Sequence, residues 1–440
     1  MKLKIALASA TALGLMMGGA LADDNLSNVN QSGDDNAALV TQSGSDNFAG
    51  DETTALRQAG HDNRLTIDQD GTGHTVGLTG DVNAWTGDLG VIQTSVNGVT
   101  NLRNALAITQ TSATANGNSV GSVAQTASQS GRNTATITQG GDGNNAVNSV
   151  WQRQSSSQGN VTTITQEGSG NVIDRVRQNV RQGGLANPNE ITVGMSGTGN
   201  GVLSNTLAGF ALESGAETST IQQGRAGPVN GLDPLANHGN KINLIVSGSG
   251  NQFGLTQLGA GNTVGTINLG GTNNQVGTYQ DNPTSNAARG NVIALAAVGG
   301  DANDIGIRQV GEFNLATTSV VGDRNSTITR QQGNDNDAYV SITGSDNGGG
   351  LTFSGFADGV ASGRLSGVVS QTGDLNEASL TVTTSFNAFT LEQDGDDNRI
   401  VSDIHGGDSN QLAVVQTGTG HVSITSQTGA NNNIGVSQSN

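Results

Sequence analysis

The stretch from Asn303 to Asn347, NDIGIRQVGEFNLATTSVVGDRNSTITRQQGNDNDAYVSITGSDN, places asparagine at 303, 314, 325, 336 and 347, eleven residues apart each time. Every interval has the same grammar: Asn, an alternating segment, Gln or an aliphatic residue at offset six, Gly at offset eight, and the next Asn. The offset-six residues are Gln309, Val320, Gln331 and Ile342, and the glycines are Gly311, Gly322, Gly333 and Gly344. So strict a spacing points to a repeat architecture, in which units that cannot bury a face alone are stabilised by stacking on their own copies.

Eleven residues also make three helical turns at about 3.67 per turn. A glycine in every copy argues against a helix, costing roughly 1 kcal/mol each time. Thr, Val and Ile fill the space between Asn and Gly, and β-branched residues suit a pleated surface. As a strand, each copy turns offsets two, four and six to one side: Ile305, Ile307 and Gln309, then Ala338, Val340 and Ile342. The copy closes on a bend in which Gly supplies positive φ and Asn tolerates it. Offset six alternates between Gln and an aliphatic residue, which makes the full repeat about 22 residues. The expected fold is therefore an all-β β-solenoid whose turn holds two strand-bend units, with Gln stacked on Gln along one side and aliphatic on aliphatic along the other, as in cross-β ladders.

The same grammar extends outward: Asn25, Gln31, Gly33, Asn36, Gln42, Gly44 and Asn47 near the start, and Asn387, Gln393, Gly395 and Asn398 near the end. Seventeen eleven-residue intervals are closed by Asn, or twice by His (His74 and His421), and all but the one holding Thr384 carry Gly at offset eight, so coincidence is excluded. Their closing residues include Asn144 and Asn273, and their offset-six residues include Asn268. Offset six never holds a charge, which marks it as inward-facing. The array spans 23–440, with interruptions near 84–128, 172–239, 281–290 and 348–367. All four prolines, Pro188, Pro228, Pro234 and Pro283, fall in these interruptions, as expected of loops ejected from a hydrogen-bonded stack. At 22 residues and about 4.8 Å per turn, the array would form a rod on the order of 90 Å long.

Residues 1–22 have the pattern of a secretory signal peptide: Lys2 and Lys4, an apolar run from Ile5 to Met17, and Ala20-Leu21-Ala22 before Asp23. No other run is apolar enough to span a bilayer, so no membrane insertion is expected. With 67 Gly, 3% aromatic and 33% hydrophobic residues, a conventional globular core is out of reach, which favours backbone ladders and polar side-chain columns. The absence of cysteine removes disulfide and thiol chemistry. A net charge of −18 argues against nucleic acid as a partner.

The pattern Asn-x-Ala-x-x-x-Gln-x-Gly-x-x-Asn, as in Asn36, Ala38, Gln42, Gly44 and Asn47, resembles the curlin repeat of bacterial curli. That resemblance implies a secreted subunit that self-associates into an extracellular amyloid fibre supporting biofilm and adhesion. It also implies partners in an outer-membrane secretion pore and a surface nucleator. The stacking residues would be the inward Gln, Asn and aliphatic positions, here Gln31, Gln42, Asn303, Gln309, Asn314, Val320, Asn325, Gln331, Asn336, Ile342, Asn347 and Gln393. The alternative is a surface solenoid that does not polymerise and binds a ligand through its inserted loops.

No chemistry-bearing motif competes with these readings. Each Gly-x-Gly lacks the third glycine of a dinucleotide fingerprint, as at Gly71, where Val76 replaces it. Paired acids such as Asp34-Asp35 and Asp396-Asp397 could hold calcium weakly, but read better as solvated, charge-repelling turns. The five histidines share no metal-ligand spacing, and no nucleophile elbow is present. Neither a cofactor, a metal nor an enzymatic activity is expected. Trp85 and Trp151 are expected to cover loops or caps.

Overall fold

The computed structural model describes residues 24–51, 54–78, 90–95, 104–112, 114, 116–127, 131–154, 159–180, 187–224, 238–284 and 286–440. The expected signal peptide, Trp85, Pro228 and Pro234 lie outside them. The chain winds into a parallel β-solenoid with two faces: among the described residues sheet A has 18 strands and sheet B has 14. Three turns of sheet A near the N-terminus have their strand split in two, as in Leu26–Ser27 followed by Val29–Ser32, so 18 strands make fifteen turns.

Where the eleven-residue ruler is regular, register advances 22 residues per turn. Asp304–Val310 pairs with Ser326–Gln332 on sheet A, and Leu315–Val321 pairs with Asp337–Thr343 on sheet B. Ile305, Ile307 and Gln309 face inward and are fully buried or nearly so, as are Val340 and Ile342 from the opposite sheet. One aliphatic cluster runs from Ala49 to Val414 between the sheets. Parallel strands buried in this way satisfy their backbone by the neighbouring turns, which is why a chain poor in aromatics can hold the fold.

Two of the interruptions are richer in structure than the spacing suggests. Val91–Ser95, Ala105–Thr111 and Ser119–Ala127 lie within 84–128, and Val172–Val180, Asn189–Met195 and Thr220–Gln223 within 172–239; all are paired rungs. The interval from Asn189 to Asn200 keeps the eleven-residue spacing; elsewhere in these stretches the bends vary in length while the strands persist, so an Asn-to-Asn ruler loses them. Partner separation accordingly ranges from 22 residues to 51 (Glu190 with Lys241), and the fifteen described turns at about 4.8 Å give a rod of about 70 Å, shorter than the array length at 22 residues per turn implies.

The inserts also fold back on the stack. Helix α1, Gly209–Glu213, and helix α2, Gly355–Ala361, pack on the outer surface of sheet A. α1 lies over Gln275–Asp281 and Asp304–Val310, and α2 over Gln411–Thr417 and Asn433–Ser439. Trp151 likewise departs from expectation: it stands in mid-strand, 3% exposed, with the Arg177 guanidinium 4.7 Å from its ring centre.

Candidate functional site

The offset-six slot of sheet A is filled by glutamine from the first described turn to the last. Gln31, Gln58, Gln93, Gln125, Gln152, Gln178, Gln223, Gln257, Gln280, Gln309, Gln331, Gln371, Gln393, Gln416 and Gln438 form one column. In each step Nε2 donates to Oε1 of the next turn, at 2.8 Å for Gln309 to Gln331. The second Nε2 hydrogen goes to backbone carbonyls, such as Val292 and Asn314 for Gln309. A buried primary amide is otherwise costly, and here both of its ends are satisfied.

Sheet B changes composition along its length. Gln42, Gln69, Gln110, Gln139 and Gln166 form a second amide column, which ends where Gln166 Nε2 meets the sulfur of Met195 at 3.8 Å. The slot then continues as Val246, Leu269, Val298, Val320, Ile342, Val382 and Ile404, and returns to Gln427. Gln-on-Gln opposite aliphatic-on-aliphatic therefore describes the C-terminal half, whereas the N-terminal half has amides on both sides. Asn268 is exposed, and Leu269 takes its slot because the strand bulges between Val264 and Ile267.

The asparagines form two corner columns. Asn303 shows the full set of contacts: its N and Nδ2 donate to Asn274 Oδ1 at 2.8 and 3.0 Å, Nδ2 also reaches the Gly322 carbonyl at 2.7 Å, and Oδ1 accepts from Asn325 N at 2.9 Å. Asn325 and Asn347 continue this column, and Asn314 and Asn336 belong to the other. The positive φ expected of Asn falls instead on the residue before it: Ala302, Phe313, Arg324, Asp335 and Asp346, all between 54° and 58°. The asparagine itself is held for its amide. Where two asparagines adjoin, the second takes the corner: Asn145 and Asn274 are buried in the column, while Asn144 and Asn273 adopt positive φ.

The bend glycines Gly33, Gly44, Gly311, Gly322, Gly333, Gly344 and Gly395 all have positive φ. They also stack. A Cβ on Gly311 would stand 1.9 Å from the Gly333 carbonyl oxygen, and one on Gly333 would stand 2.0 Å from that of Gly373. Acids in the bends have a structural use as well: Asp301 N donates to Asp323 Oδ1 and Asp374 N to Asp396 Oδ1, each at 2.9 Å. Among the described residues no cluster of three or more His, Cys, Asp or Glu is placed to hold a metal.

His74 substitutes for asparagine atom by atom. Its Nδ1 accepts from Asn118 N at 3.0 Å and Nε2 lies 3.1 Å from the Asp70 carbonyl, the geometry of a neutral ring protonated at Nε2. Burial pushes its pKa below the ordinary value, against a smaller opposing pull from the Asp70 carbonyl and carboxylate.

Residues 22–50 match the curlin associated repeat. The match covers the first turn and a half, with Gln31, Gly33, Asn36, Gln42, Gly44 and Asn47 in their column positions. No curated protein sequence matches the chain. The same Asn-Gln-Gly spacing recurs beyond the matched residues to the last strand, so the same columns reach both ends of the described stack.

At those ends the columns have opposite polarity. Gln438 keeps an Nε2 hydrogen facing beyond the last turn, and among the described residues no donor meets Gln31 Oε1 beyond the first. The Asn column runs the other way, Asn432 N donating back to Asn410 and leaving Asn432 Oδ1 facing outward. Donor thus meets acceptor when the last turn of one copy meets the first turn of another, and like meets like when two last turns meet. Separately, the inserts carrying α1 and α2 enclose a cleft of about 520 Å³ lined by Phe210, Leu351, Phe353 and Leu365.

Proposed function

We propose that this chain is a secreted structural subunit that stacks head to tail into an extracellular, curli-like amyloid fibre of the kind that supports biofilm and adhesion. The observation that carries the reading is the complementary polarity of the Gln and Asn columns at the first and last turns. An unpaired strand edge already templates addition, and an oriented ladder selects which end is added to which. The reading gives the chain a scaffold's role and no catalytic one; export through an outer-membrane pore and nucleation at the cell surface would accompany it. The test is assembly of the purified chain followed by dye binding, microscopy and fibre diffraction, with a meridional spacing of about 4.8 Å expected. Persistent monodispersity at high concentration with seeds present would refute it.

The cleft between the two inserts favours a second reading, an adhesin that binds a ligand there without polymerising. Leu365, 58% exposed in the cleft wall, separates the two. Under the adhesin reading Leu365→Asp abolishes binding to cells or surfaces. Under the fibre reading seeded growth is unchanged.

A further inference from the structure

The inserts carrying α1 and α2 are two versions of one device, and among the described residues only the first is covered by further turns of the stack. Each opens on Gly-Phe-Ala, Gly209 to Ala211 and Gly355 to Ala357, with the glycine in the left-handed region at φ 49° and 57°. Ala208 N donates to Gln275 Oε1 at 2.8 Å, as Ser354 N does to Gln411 Oε1 at 2.6 Å. Ala211 N donates to Asp304 Oδ1 at 2.7 Å, as Ala357 N does to Asn433 Oδ1 at 2.8 Å. The Phe210 carbonyl lies over Gly306, and the Phe356 carbonyl over Gly435, so closely that an added Cβ would stand 2.2 and 2.3 Å from the oxygen. Asp304 and Asn433 open their strands and the two glycines stand third, so both inserts dock in the same register.

They differ in what the following turns provide. The Phe210 ring reaches past its docking strand to Ile328 on the next turn and Val368 on the one after, and is 6% exposed. Phe356, in the equivalent place, is 79% exposed; among the described residues Asn433–Ser439, on which its insert docks, is the outermost strand of sheet A. An aromatic ring held out by a docked backbone, at the edge of a stack, lacks only the next turn.

We propose that Phe356 packs onto the first turns of a second copy of this chain added beyond Asn433–Ser439, where the Gln438-to-Gln31 register sets Asn28 and Ala55 in the places that Ile328 and Val368 hold against Phe210. The occupant is a second copy because the same edge offers the Gln438 donor and Asn432 acceptor, which continue onto Gln31 and Asn25 of an incoming chain. The proposal rests on head-to-tail stacking, and it adds a specific side chain that fastens each joint.

The test compares seeded growth of the purified wild-type chain and Phe356→Ser, with thermal unfolding of each monomer. The substitution should leave monomer unfolding unchanged, since the ring has little to lose there, while raising the soluble concentration at equilibrium about tenfold, the effect of forgoing burial of one large apolar side chain. Phe210→Ser should instead destabilise the monomer. Because the chain lacks cysteine, Phe356→Cys labelled with a polarity-sensitive dye reports the site directly, and its emission should shift to the blue on assembly. Unchanged growth by Phe356→Ser with a label that stays in water would overturn the clasp and leave head-to-tail stacking standing. Wild-type chain that never grows from seeds would overturn both.

Discussion

The corner slot tolerates histidine only in one protonation state, which makes His74 a local acid sensor. A proton on Nδ1 would set two N–H groups against each other at Asn118 and break the column there. With the folded pKa below the unfolded value, near 6.5, the contribution to stability is complete above that value and is lost as pH falls through the lowered pKa. His74→Asn should therefore remove an acid-labile step from hydrogen exchange of the turns around Gln69 and Asn118, and leave exchange at neutral pH unaltered. At this scale the sequence was nearly transparent: Asn, Gln and Gly each stand where a specific atom is required. The exceptions are doublets such as Asn144-Asn145, where the eleven-residue spacing picks Asn144 and the hydrogen bonds place Asn145 in the column.

Strands differ in what they demand of a neighbour. Gln331 bridges Gln309 and Gln371, so Gln331→Ala strands one donor and one acceptor in the core. The expected cost is about 2–4 kcal/mol. Ile342 sits between Val320 and Val382 on the other sheet; Ile342→Gln inserts an amide without a partner, at about 2 kcal/mol or more. Local protease sensitivity and hydrogen exchange would detect both, and suit a stack whose turns open piecemeal better than a single melting temperature. The alternation at offset six announced these two environments along 303–347. That sheet B reverts to Gln towards the N-terminus shows only where successive units both carry Gln, as at Gln31 and Gln42. The alternation did not find the inserts' docking sites, although the paired Gly-Phe-Ala segments were a signal available in the sequence.

Acids stand both in the bends, as at Asp34-Asp35 and Asp396-Asp397, and on the strands, as at Asp394 and Asp403. With a net charge of −18, approach of a second copy is opposed over a Debye length of about 10 Å at 0.1 M salt. Raising ionic strength from about 0.01 M to 0.15 M should shorten the lag before growth, read by dye fluorescence. A lag indifferent to salt would mean that charge does not limit encounter. Once ends meet, contacts within the stack are dry and weakly screened, so fibres should persist on return to low salt.

The sequence alone determined that this is a stacked β-coil, which side of each strand is interior, and where bends require glycine. Those properties are local: a period of two sets the face, and positive φ sets the residue. Only the tertiary structure decided which turns are neighbours across separations of 22 to 51 residues, that α1 docks on Asp304 some 94 residues away, and that Phe210 is covered while Phe356 is not. Register in a solenoid is set by the columns that align when turns stack, and a loop of any length can be accommodated between two strands without altering it.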